Sequence, residues 1–385
     1  MGLLKQGAWQ GFILLFFSLL LCLTPLLSSG ATIQHLYSAR VAVADESAQA
    51  HAAATAQALQ DVLVKVSGDS RSLLAPALAQ ALLHPQRYVK SFSYQSRELP
   101  ALPVSHALPL TIPATTALDL VISFEPDAIQ TLLSQVALPI WEANRPSFLL
   151  WITRDDNQVP VLLGQDDAQA PEVSALARVL AFRGVPALLP VIDLDVLQQV
   201  TPAVLAQPDI ATLAQAAQPY ATAGQLIIRL HYQAAQWQAT ATAVVAGQTY
   251  HNSVSDGDLA TLYRRLLNPI VDAVAQDYAV TINDDSSDSA TLVLDQIKGY
   301  HDFQRAMTLL QSAKQIQSVS VASLDRQRII FDLVFKGGVS KLQQAFTLLP
   351  QFELQAPIAA ARMVPLTTQT TTAADATVLD YRWLP

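Results

Sequence analysis

The run Gly11–Leu23 (GFILLFFSLLLCL) constrains this chain more than any other stretch, because it decides the compartment in which the rest must fold. It is apolar, carries one serine and has no charge; Lys5 precedes it and Pro25 breaks it. Ser28-Ser29-Gly30 then places small residues at the minus-three and minus-one positions before Ala31, the pattern of a cleaved secretory signal. At roughly 13 residues the run is short for a helix that must cross the hydrocarbon of a bilayer, which takes about 20. The expectation is export with cleavage after Gly30, giving a periplasmic protein with no stable membrane span. The alternative is an uncleaved segment that anchors the chain to the inner membrane.

Cys22 lies inside that run and is the one cysteine of the sequence. A chain cleaved after Gly30 therefore has no thiol for a disulfide, a nucleophile or a Cys-ligated zinc site. Lys+Arg number 23 against 31 Asp+Glu, a formal net charge of −8, and Lys5 is the one charged residue before Ala31. That balance argues against nucleic-acid partners, which need a basic footprint, and against adhesion to anionic lipid through a general positive field. Hydrophobic residues make up 51 % and charged residues 14 %, too apolar for disorder and enough for two or three domains.

Periodicity supplies the elements. Alternating Tyr37, Ala39, Val41 and Val43 predict a strand over 36–43. Asp45 or Ser47 caps the following helix, with a buried stripe of Ala52, Ala56, Leu59, Val62, Leu63 and Val66 and a stop at Ser67-Gly68. Proline-rich 98–116 reads as a loop, and a strand over 118–124 with a helix from Asp127 completes an α+β module over 31–144. Arg145-Pro146 opens a mixed α/β module over 145–282. Its run Ser147–Thr153 is apolar enough for a central strand covered on both faces. Gln225–His231, Trp237–Val245 and Gln248–Val254 read as an antiparallel meander, and the long helix after it should kink at Pro269. Residues 283–290 are acidic and polar, a linker by composition. Beyond them, 291–366 reads β-α-β-β-α-β, and 367–385 is a low-complexity tail in which Val378–Leu384 forms an edge strand at most. The fold class expected is α/β and α+β: tandem mixed α/β modules with a C-terminal ferredoxin-like βαββαβ domain.

Leu36-Tyr37, Val41, Val43 and Asp45, then Ala58-Leu59 and Val62-Leu63-Val64-Lys65-Val66-Ser67-Gly68, resemble the opening of an uncharacterised "domain of unknown function" family of exported proteins from Gram-negative bacteria. Arg145-Pro146, Leu149-Leu150-Trp151, Arg183-Gly184, Leu189-Pro190 and Asp193 resemble its middle region. The resemblance covers 34–350, with the Val-Ser-Gly segment its most specific part. Pro219-Tyr220 departs from it where an arginine–tyrosine pair is expected. The resemblance implies export; it implies no activity, cofactor or catalytic residue.

The residues themselves offer little chemistry. The seven histidines are scattered, and no H-E-x-x-H, phosphate-binding glycine loop or nucleophile elbow occurs. His231 and His251 could face one another across the meander with Asp256 nearby, although surface histidines are the simpler reading. Arg154-Asp155-Asp156 follows one apolar strand and Asp193-Leu194-Asp195 another, and ligands of open α/β sheets bind beyond strand C-termini. A ligand site in this module would be lined by Asp155, Asp156, Arg183, Asp193 and Trp151. The simpler reading is that these aspartates cap helices and make turns. No metal or cofactor is expected, and no catalytic residue can be named. The function expected is that of a non-catalytic scaffold, adaptor or assembly factor for other envelope proteins, adding a partner's strand near 352–365 or at the tail. The alternatives are a periplasmic small-ligand binder and a metal-assisted hydrolase using the acidic strand ends.

Overall fold

The computed structural model describes residues 30–98, 116–156, 159–207, 209–281, 287–355 and 377–384. The apolar N-terminal run with Cys22, read above as a secretory signal, most of the proline-rich stretch, part of the acidic linker and most of the tail lie outside the described residues.

The first unit comprises β1 (Gly30–Thr32), β2 (Ser38–Val43), α1 (Ala48–Ser67), α2 (Ala79–Leu83), β3 (Val89–Glu98), β4 (Thr116–Phe124), α3 (Pro126–Gln135) and β5 (Asn144–Pro146). Ser47 caps α1 by accepting from the Ala50 amide, and left-handed Gly68 closes it with its own amide on the Val64 carbonyl. The buried stripe is Ala54, Ala58, Leu59, Val62, Leu63 and Val66. Ala52 is exposed and Ala56 half-buried, contrary to expectation. An alanine-rich first half carries too little polarity contrast for periodicity to orient it. The three strands run antiparallel in the order β2-β4-β3. Leu120, Ile122 and Phe124 of the central strand meet α1 and α3 in one core. Each such side chain contributes about 1.5–3 kcal/mol when fully buried. The strand period of two sends Asp119 and Ser123 to the opposite face, where register sets Asp119 beside Gln95 and Ser123 beside Ser38, and Arg40, opposite Val121, shares that face.

The second unit comprises β6 (Phe148–Asp156), β7 (Val159–Leu163), α4 (Pro171–Arg183), β8 (Ala187–Leu188), α5 (Leu194–Gln199), α6 (Pro202–Ala206), α7 (Ile210–Ala217), β9 (Gly224–Gln233), β10 (Gln236–Val245), β11 (Gln248–Asp256) and α8 (Leu259–Tyr278). The sheet runs β11-β10-β9-β6-β7, with β8 beside the start of β6. Strand β6 is covered on both faces, as its composition demands. Phe148, Leu150 and Ile152 join a core with α4 and α8, while Leu149 and Trp151 join another with α5 to α7. Helix α8 continues through Pro269.

The third unit comprises β12 (Asp288–Asp295), α9 (Tyr300–Ser312), β13 (Ile316–Asp325), β14 (Arg328–Phe335), α10 (Val339–Thr347), β15 (Phe352–Leu354) and β16 (Thr377–Trp383). Strand β12 thus begins inside the stretch read as linker. The order β13-β14-β12 is that of a ferredoxin-like sheet, but the place beside β12 is filled by β16, parallel to it, and β15 is displaced to the edge. The tail strand is therefore interior, which corrects the expectation of an edge strand. Its alternate residues Leu379, Tyr381 and Trp383 are fully buried among Phe346, Phe352 and Leu292. On the uncovered face a row of charges crosses all five strands. Arg382 pairs with Glu353, Asp295 with Arg328, and register sets Arg382 beside Asp295 and Asp325 beside Arg328. Such opposite-charge neighbours fix the register of a parallel insertion.

Candidate functional site

The acidic strand ends do not converge. Asp155 sits at the end of β6 opposite His231 of β9, its carboxylate 3.4 Å from Nδ1. Asp156 is the last residue of that strand, opposite Val159. Asp193 caps α5 by accepting from the Val196 amide at 2.8 Å. Trp151 is fully buried between β6 and α5 to α7, with its indole N–H on the Gln225 side-chain oxygen. Arg183 is fully buried on the other side of the sheet, at the end of α4. None of these pairs with another among the described contacts. His251 bonds Thr242, four registers along the meander from the Gln238 that faces His231, so those two histidines do not meet. Among the described residues no group of three or more His, Cys, Asp or Glu is placed to hold a metal ion.

Arg183 belongs instead to a junction between the first two units. Its guanidinium donates to Asp272 at 2.6 Å, to Asn268 at 2.7 Å and to the Gly68 carbonyl at 2.8 Å. Asp272, on α8, also accepts from the amide and hydroxyl of Ser70. Beside it, buried Arg145 directs all its nitrogens at backbone carbonyls: Glu142, Arg183, Gly184, Lys65 and Trp141. Its guanidinium carbon lies 4.1 Å from the Trp141 ring centroid. The acceptors include the ends of α1 and α4, where helix dipoles favour a cation. Burial, reinforced by the Arg183 charge, pulls the Arg145 pKa down to about 9, so it stays charged at neutral pH. Burial also lowers that of Arg183, against the opposing pull of Asp272. A Cβ at Gly184 would lie 2.7 Å from Arg145, and one at Gly68 would lie 2.6 Å from Ala275. The Val66-Ser67-Gly68, Arg145-Pro146 and Arg183-Gly184 segments thus meet at one place and serve architecture.

A cleft of about 940 Å³ opens between the polar face of the β2-β4-β3 sheet and α4. At its floor Asp119 is buried on the central strand. Arg97 donates to it at 3.1 and 3.5 Å, and Arg40 approaches it to 3.8 Å while donating to Gln95 at 3.0 Å. Both arginine side chains remain about half exposed. Lys65 reaches the cleft from α1, its ammonium on the Ser38 carbonyl, and Arg178 lines it from α4. Burial, with a smaller push from Arg145, lowers the Lys65 pKa to about 8, whereas burial raises that of nearby Asp61. The alternation in 116–124 could have shown that Asp119 faces away from the helices; its partners could not be read, because they come from strands elsewhere in the chain.

Residues 30–142, the first unit without β5, match a family described as a domain of unknown function (DUF8605). No curated protein matches the chain, and no solved structure does. No helix among the described residues is long and apolar enough to cross a membrane.

Proposed function

We propose that this chain is a non-catalytic scaffold, adaptor or assembly factor of a Gram-negative envelope, exported by its N-terminal segment, which takes up a partner by strand addition. The observation that carries this reading is β13. It is ten residues long, lies at the edge of its sheet among the described residues, and has one charged residue, Asp325. Most of its side chains are exposed, including Val321 and Leu324. An edge of that length normally needs charges or a cover to prevent pairing with another chain. The reading takes β13 as the docking strand in preference to 352–365 or the tail, because β15 has three residues and β16 is interior. The test is capture from envelope extract by wild-type protein and by the double variant Val321→Lys, Leu324→Lys. The proposal expects one protein reproducibly retained by wild type and lost by the variant, with equal circular dichroism. Retention by both would sink it. Export is checked by mass spectrometry of the envelope fraction, which should find an N-terminus at Ala31. The 940 Å³ cleft favours a second reading, a small-ligand binder of the same compartment.

A further inference from the structure

The charge balance of the cleft is opposite to that of the chain. The whole carries −8. The ionised groups lining the cleft are Arg40, Lys65, Arg97 and Arg178 against Asp61 and Asp119. A single carboxylate at the floor is neutralised by one guanidinium, yet two converge on Asp119. Neither is used up. Each guanidinium carries five N–H donors; Arg97 places two bonds on Asp119 and Arg40 one on Gln95. A concave wall with surplus positive charge and unspent forked donors focuses field on anions, and the arginine fork matches carboxylate and phosphate oxygens. Purely structural pairing would not need the second arginine or the open volume, which lies near the upper end of the range for small-molecule sites, about 300–1,000 Å³.

We infer that the cleft between the β2-β4-β3 sheet and α4 binds a small organic anion, with Arg40 and Arg97 gripping its carboxylate or phosphate group over the buried Asp119 and Arg178 facing it from α4. Asp119 is a positioning residue: it fixes two flexible side chains before the ligand arrives, which lowers the ordering cost of binding. This inference rests on the small-ligand reading and is independent of strand addition at β13.

The test uses the full exported chain at pH 7.5 and fixed ionic strength balanced with sodium chloride, titrated calorimetrically with inorganic phosphate, succinate and, as a neutral control, glucose. Saturable one-to-one binding of phosphate or succinate is expected, and which of them binds distinguishes a phosphorylated from a carboxylate ligand. Arg40→Gln with Arg97→Gln should weaken it at least about tenfold, a loss of about 1.4 kcal/mol. Arg40→Lys with Arg97→Lys keeps both charges and the fold but removes the forks, and should also weaken it. Arg265→Gln, which breaks an ion pair with Asp256 in the second unit, should leave it unchanged. Absence of saturable binding for both anions, or equal binding by the Arg40/Arg97 variants, overturns the inference. Saturable binding of glucose alone would overturn it while leaving the small-ligand reading in place.

Discussion

At the junction, Arg145 and Arg183 are fully buried; every nitrogen of the Arg145 guanidinium ends on a backbone carbonyl, and the two terminal nitrogens of Arg183 end on Asn268, Asp272 and the Gly68 carbonyl, while its Nε has no partner among the described residues. Across the third sheet, Glu353, Arg382, Asp295, Arg328 and Asp325 run in a row on the uncovered face, their side chains in contact with water. The residue types are the same; the dielectric is not. A guanidinium taken out of water must have its donors matched, and breaking one match leaves a stranded charge. The row is only partly buried and keeps part of its hydration, so breaking one of its pairs costs far less than stranding a charge at the junction. Charge that locks two units together therefore looks, in sequence, like charge that only sets register. The cleft lies between these extremes, with one buried carboxylate and two half-exposed arginines.

Three substitutions probe that contrast. The largest effect is expected from Asp272→Asn, which keeps the shape but leaves Arg183 without its counter-charge. Chemical denaturation should show a loss of about 3–5 kcal/mol, and a loss below about 1 kcal/mol would mean the junction is not what holds the first two units together. The next is a pH effect at Lys65. Its folded pKa of about 8 lies below the usual 10.5, so the unfolded chain holds the proton more tightly. The cost is fully present below about pH 8, and stability should rise as pH climbs from there toward 10, by up to about 1.4 kcal/mol per unit. Lys65→Met should flatten that rise; an unchanged pH profile would show that another group causes it. The smallest effect is expected from Asp295→Asn in the row, below about 1 kcal/mol by the same denaturation assay. A larger loss would erase the distinction between the two arrays.

Much of the local structure was legible. Gly68 and Ser47 mark the ends of α1 because capping is a matter of neighbouring residues, and the unbroken apolar run in β6 demands cover on both faces. The family pattern was legible across the first unit, in residues 30–142; of the Val66-Ser67-Gly68, Arg145-Pro146 and Arg183-Gly184 segments only the first lies there. The role of these segments was not legible, because Arg145 meets the Lys65 carbonyl across 80 residues and Ser70 meets Asp272 across 202. The predicted site misplaced Arg183 and Trp151 for the same reason: nearness to a strand end in sequence says nothing about which face a side chain takes. The tail was misread because 367–376 offers no pattern, which hid the clear alternation of Leu379, Tyr381 and Trp383 behind it.

The sequence alone determined the periodic elements, their caps, the acidic balance and the two-sided burial of β6, since these depend on residues within a turn or a strand of one another. The tertiary structure alone decided that the last strand enters the middle of a sheet, that buried arginines join the first two units, and that Arg40 and Arg97 close over Asp119. Those outcomes depend on which surfaces remain to be buried once the local elements exist. Burial of apolar area and the need to match buried donors act on the assembled molecule, and no window of sequence contains them.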